Sequence, residues 1–112
     1  MSRPVTLTMN AGVATVTLTQ PEIRNAFSDE VIAEITAAFE TVAQVADVRA
    51  VVLAAEGPAF CAGANLNWMR RMADYSREEN LADAGKLAHM LHTIYTCPLP
   101  TIARVQGDVY AG

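Results

Sequence analysis

Cysteine is scarce in this chain: Cys61 and Cys97 are the only two. Two thiols in an alanine-rich chain are not the disulfide framework of a small secreted domain, and a reducing cytosol is the compartment they fit. Cationic residues are also few. Eight Lys and Arg stand against twelve Asp and Glu, giving a net charge of −4. There is no basic patch, which argues against a nucleic-acid partner. No apolar run approaches the length needed to cross a bilayer, so no membrane partner is expected. The residues after Met1-Ser2-Arg3-Pro4 alternate in polarity, unlike the apolar core of a secretory leader. A cytoplasmic location is the expectation. Five prolines and six glycines in 112 residues, with 52% hydrophobic and 18% charged, exclude a disordered or low-complexity chain. Repeats and internal linkers are absent too. What remains is one modest globular unit, with a small margin between surface and core.

The patterning is that of an α/β protein. Val5-Thr6-Leu7-Thr8-Met9 alternates, Asn10-Ala11-Gly12 turns, and Val13 to Thr19 alternates again with β-branched residues, which predicts a leading hairpin. Gln20-Pro21-Glu22 ends it. Ser28 is a good N-cap, followed by Asp29 and Glu30 at the positive end of a helix. Val31, Ile32, Ile35, Phe39, Val42 and Val45 recur at helical spacing and predict a helix to about Ala46. Ala50 to Ala55 suits a buried parallel strand. Phe60 to Leu66 reads as a small-residue turn and Asn67 to Met72 as a short helix. Ser76-Arg77-Glu78-Glu79 fits a capping box opening a longer helix to about Thr96. Cys97-Pro98-Leu99-Pro100 is a rigid connector, and Thr101 to Val105 reads as the next buried strand. Gln106-Gly107-Asp108 is then a turn.

The chemistry-bearing stretch is Phe60-Cys61-Ala62-Gly63-Ala64-Asn65-Leu66, directly after a predicted strand. Small residues let a ligand approach the backbone, and a turn entering a helix aims free N–H groups outward, where they can stabilise an oxyanion. A tight turn where only small residues fit explains the same composition, and on composition alone it is the favoured explanation.

Three stretches, in order, change that balance. Pro21-Glu22-Ile23-Arg24-Asn25-Ala26-Phe27, Gly57 to Leu66, and Pro98-Leu99-Pro100-Thr101-Ile102-Ala103-Arg104-Val105-Gln106-Gly107 with Ala111-Gly112 resemble three motif segments of the crotonase (enoyl-CoA hydratase/isomerase) superfamily. Each is weak alone; together, at these spacings, they are specific. The resemblance implies the N-terminal portion of a crotonase-like core, a spiral of ββα repeats, over residues 1–112. Superfamily members are considerably longer, so a C-terminal part carrying the acid/base glutamates is expected beyond Gly112. An acyl-CoA thioester is the implied partner, with coenzyme A as part of the substrate and no separate cofactor or metal. A homo-oligomer, trimer or hexamer, is also implied.

Carried over by position, the backbone N–H groups of Ala64 and Gly112 would be the two oxyanion-hole donors. Arg24 and the Asn25-Ala26 backbone would lie along the CoA nucleotide, and Ala62 and Leu66 along the adenine and pantetheine path. Asn65 stands where the superfamily more often has Asp; it keeps the capping ability and loses the charge. The run Leu66-Asn67-Trp68-Met69-Arg70-Arg71-Met72 resembles the methylglutaconyl-CoA hydratase branch, which serves leucine breakdown.

Other candidates rank lower. His89 and His92 share a helix face, but a solvated or packed pair is favoured over a metal site. Cys61 lacks a basic partner and reads as a small buried residue. Met69, Met72 and Met90 suit the core or the acyl pocket. Arg70 and Arg71 fit contacts to CoA phosphates and an exposed helix face equally well.

Overall fold

A computed structural model of the protein describes residues 3–111. The chain opens with β1 (Val5–Asn10) and β2 (Val13–Leu18), paired antiparallel from Val5↔Leu18 to Asn10↔Val13. The connection is tight because Ala11 and Gly12 both take positive φ, at 52° and 84°, the twist that matches two hairpin strands. A 3-10 turn (Pro21–Ile23) leads to α1 (Asp29–Ala43). Ser28 caps α1, its Oγ accepting from Val31 N at 3.4 Å. β3 (Ala50–Ala55), β4 (Ala59–Cys61), α2 (Leu66–Met72) and α3 (Arg77–Tyr95) follow, then β5 (Thr101–Ala103) and β6 (Asp108–Val109).

The strands divide between two sheets in a repeating way. β2, β3 and β5 lie side by side and parallel in a sheet of order β1-β2-β3-β5, while β4 and β6 pair parallel in a second sheet. After the leading hairpin and α1, the chain adds one strand to each sheet, β3 and β4, returns through α2 and α3, and adds one to each again, β5 and β6. This is a spiral of ββα units, the α/β architecture the sequence implies. The core lies between α1 and the first sheet. Val31, Ile32, Ile35, Ala38, Phe39 and Val42 form the buried stripe of α1, facing Ala14, Val16 and Leu18, the alternate residues of β2. Each large apolar side chain so buried contributes about 2 kcal/mol.

Several boundaries differ from the sequence pattern. α1 ends at Ala43, not Ala46, because the chain tightens into successive three-residue bonds, Val45 N to Val42 O and Val48 N to Val45 O. Part of the expected turn from Phe60 is strand β4, and β6 occupies part of the expected second turn. Strands this short carry no periodicity; they exist through pairing with each other. β5 stops at Ala103, and residues 101–106 are exposed rather than buried. The α3 capping box is present in full: Ser76 Oγ accepts from Glu79 N at 3.1 Å, and Ser76 N donates to Glu79 Oε1 at 2.9 Å. No helix among the described residues is long and apolar enough to cross a membrane.

Candidate functional site

The segment after the 3-10 turn and the segment after β4 are laced together by backbone bonds. Ala62 N donates to Arg24 O at 3.0 Å, Phe27 N to Gly63 O at 2.7 Å, and Asn65 N to Phe27 O at 2.6 Å. The last two make a parallel bridge between Phe27 and Ala64. In such a bridge the flanking residues do the bonding, so the N–H and C=O of Ala64 itself point to the opposite side. Among the described residues no acceptor meets the Ala64 N–H. Ala64 also lines a cleft of about 530 Å³.

Ala26, Ala62, Ala64, Asn65 and Leu66, all expected at a ligand site, line this cleft together. The floor is kept open by small side chains. Gly63, at φ 90°, lets the chain turn, and its N–H donates to Cys61 Sγ at 3.4 Å. Asn65 caps α2: its Oδ1 accepts from Asn67 N at 2.8 Å and Trp68 N at 3.2 Å. The amide thus keeps the capping function expected of it. Burial pushes the Cys61 thiol above its ordinary pKa, partly opposed by the Gly63 N–H, which fits a packed residue rather than a nucleophile.

Two expected residues are placed elsewhere. Asn25 is 2% exposed and sits beneath the cleft. Its Oδ1 accepts from Gln20 N at 2.9 Å, and its Nδ2 donates to Glu56 O at 2.9 Å and Ala59 O at 3.2 Å. Its own N–H donates to Gln20 O at 2.9 Å, so neither side chain nor N–H is left for a ligand. Arg24 is exposed but does not line the cleft. Arg24 and Asn25 both adopt left-handed backbone, φ 53° and 55°, which is what turns the chain from the 3-10 turn toward Phe27. Gly112 lies outside the described residues. Of the residues before it, Tyr110 N donates to Cys61 O at 3.0 Å, and Ala111 Cβ lies 3.4 Å from the position a Cβ on Gly63 would take.

α2 is fixed from two sides. Trp68 is buried, and its indole N–H donates to Asp83 Oδ2 on α3 at 3.0 Å. Arg71 forks onto Asp29 at the start of α1, with Nη2–Oδ1 at 3.0 Å and Nη1–Oδ2 at 3.2 Å. The Arg71 guanidinium holds the Asp29 carboxyl below its ordinary value, and Asp29 in turn raises Arg71. Arg70 points instead to the cleft and lines it with Ile23 and Asn67. Sequence reasoning left these two arginines undivided; the separating signal is that Leu66 and Arg70 stand four apart on one helix face. The Asp83 partner of Trp68 was missed, since nothing in a charged helix marks a carboxylate as buried. His89 lies 3.8 Å from Glu40, and among the described residues no group of three or more metal-ligating side chains comes together.

A spiral of ββα turns of this kind is the fold of the crotonase class of proteins. The enoyl-CoA hydratase/isomerase family model matches residues 8–112, and the chain belongs to that family. A Thermus thermophilus protein provisionally named an enoyl-CoA hydratase is 40% identical over 89% of this chain and 40% of its own length. A crystal structure of an enoyl-CoA hydratase from Shewanella pealeana superposes with a TM-score of 0.91 at 38% identity, over 93% of this chain and 39% of that one. One from Mycobacterium smegmatis gives 0.84 at 40% identity, over 93% and 40%. The chain spans about 40% of the length of the curated relatives it matches.

Proposed function

We propose that the chain is the N-terminal part of a lyase that hydrates an α,β-unsaturated acyl-CoA. The bridge between Phe27 and Ala64 supports this reading, because it leaves the Ala64 N–H facing away from Phe27 at a residue that lines the cleft. There it can hold the thioester oxygen as water adds to the β-carbon and negative charge moves onto the carbonyl. A preorganised donor of this kind acts in the transition state more than in the ground state, which is what lowers the barrier. The backbone N–H of Gly112 is the second proposed donor, supported by the approach of Ala111 to Gly63. Acid/base groups are proposed to come from sequence beyond residue 112, and this chain alone is proposed to be inactive. The Leu66 to Met72 run supports a methylglutaconyl-CoA substrate and a place in leucine breakdown. Isomerase or other enolate chemistry on the same oxyanion hole is the alternative. Trimeric assembly and a cytoplasmic location complete the reading.

Calorimetric titration of the purified chain with CoA and crotonyl-CoA tests it, with loss of the conjugated-thioester absorbance monitored in parallel. Binding without turnover is expected. Absence of binding refutes the site, and turnover by the 112-residue chain refutes the division of labour. A second reading, a non-catalytic fragment that assembles with longer subunits, is favoured by one observation: the β5 edge strand is exposed, with Ile102 at 54%. Co-purification with a full-length subunit but no CoA binding would select it.

A further inference from the structure

The two neighbouring arginines of α2 have different fates. Arg71 is spent on Asp29 in a two-pronged ion pair. Arg70, one residue earlier, is exposed and lines the cleft, and among the described residues no carboxylate lies within ion-pair distance of it. Its guanidinium is steered by a neutral partner: Nη1 donates to Asn67 Oδ1 at 3.1 Å, which leaves the other N–H groups unspent. The remaining residues lining the cleft are alanine, asparagine and aliphatic side chains, with no other charge. The helix is anchored chiefly by buried Trp68, whose indole N–H is bound to Asp83, with the exposed Arg71–Asp29 pair adding a second tie. An oriented, unpaired cation on a fixed helix, over an otherwise uncharged cleft, is a device for recognising an anion.

We propose that Arg70 is a specificity-determining residue of the cleft, binding an anionic oxygen group carried by the acyl-CoA. This rests on the CoA-thioester reading above and sharpens it. Two parts of such a ligand carry that chemistry: a carboxylate at the far end of a dicarboxylic acyl group, and the phosphates of CoA. Arg70 stands one helical turn after Leu66, and its bond to Asn67 Oδ1 folds the guanidinium back toward the first turn of α2. Because Ala64 and Arg70 line the same cleft, an acyl group with its thioester oxygen at Ala64 would share that cleft with the guanidinium, so the acyl carboxylate is the source put to the test.

The test uses the purified chain, its Arg70→Gln and Arg70→Lys variants, and Arg71→Gln as a control for loss of a nearby cation. Crotonyl-CoA, glutaconyl-CoA, CoA and 3′-dephospho-CoA are titrated into each. Trp68, the single tryptophan, reports the unfolded fraction and so shows that each variant is folded. The expected result is that Arg70→Gln weakens glutaconyl-CoA about tenfold, the scale of one charge-assisted bond, and leaves crotonyl-CoA unchanged. Arg70→Lys is expected to recover part of that loss, and Arg71→Gln to leave the preference intact. An equal loss for both thioesters keeps Arg70 as the anion-binding residue but assigns the anion to CoA, with 3′-dephospho-CoA separating the 3′-phosphate from the pyrophosphate. Unchanged affinity for every ligand in Arg70→Gln overturns the proposal while leaving the cleft as a CoA site. Failure of the unaltered chain to bind any of the four removes the functional reading itself, and this inference with it.

Discussion

Replacing Asn25 separates two effects that usually travel together. The side chain joins three backbone groups from two loops, Gln20 N, Glu56 O and Ala59 O, while its own backbone is left-handed at φ 55°. Asn25→Ala strips the first two of these groups of their side-chain partner; Ala59 O keeps a bond from Gln106 Nε2 at 3.3 Å. Two lost bonds at about 1 kcal/mol each, plus the left-handed penalty of about 1 kcal/mol for a side chain less tolerant of it than Asn, give about 3 kcal/mol of destabilisation. Asn25→Gly loses the same bonds but relieves the backbone. A left-handed conformation costs a Cβ about 1–2 kcal/mol, against about 0.4–1 kcal/mol for the extra freedom of glycine in the unfolded chain. The glycine variant should therefore be the more stable of the two by about 0.5–1 kcal/mol, the reverse of the order in a helix or strand. Urea unfolding followed by Trp68 emission measures both. An alanine variant as stable as the glycine one, or either within about 0.5 kcal/mol of the original chain, would refute the reasoning.

Gly107 has no room for a side chain: a Cβ there would lie 2.1 Å from the carbonyl oxygen of Pro58. Gly107→Ala should cost about 2 kcal/mol or more through backbone displacement, and hydrogen exchange should show β4 and β6 losing protection first. Ala11 bears φ 52° in the hairpin turn, so Ala11→Asn should raise stability by about 0.5–1 kcal/mol in the same urea assay. Thiol labelling under native conditions should modify Cys97, which is half-buried, and spare Cys61, which is 1% exposed and raised in pKa by burial; fast labelling of Cys61 would contradict its packing. Asp29 has a folded-state pKa below the ordinary 3.8, so its pairing with Arg71 stabilises the fold above that pH and is lost as pH falls through the lower folded value. The melting temperature of Asp29→Asn should lie below that of the original chain near neutrality and converge with it in acid; a gap that persists below the folded pKa would contradict the pairing.

Much of the fold was legible because long elements announce themselves. The hairpin showed in alternation around Asn10-Ala11-Gly12, α1 in its apolar stripe, and α3 in the Ser76/Glu79 box, all of which are local signals. β4 and β6 were hidden, since three- and two-residue strands are defined only by partners far along the chain. The cleft was half legible. Small residues after a strand marked the stretch from Phe60 to Leu66, and the resemblance to the crotonase superfamily singled out Ala62, Ala64 and Leu66 within it, whereas the bridge to Ala64 belongs to Phe27, a remote residue. The inward-facing amide of Asn25 was not legible, because a polar residue in a motif gives no sign of whether its side chain faces in or out. Only the loops around Gln20, Glu56 and Ala59 decide that it faces in.

The parallel pairing of β4 with β6 also sets a ruler. Adjacent strands in a sheet run about 4.8 Å apart, and the cleft's backbone donor follows directly from the first of these strands while residues 110 and 111 follow from the second. The gap across which the two chain segments face each other is thus a pitch of the spiral, set by main-chain pairing and braced by the Gln106 side chain, which donates to Gly57 O at 2.7 Å and Ala59 O at 3.3 Å. Side chains around the cleft can then be exchanged over evolutionary time, altering what fits, without moving the fixed backbone frame against which every ligand is measured.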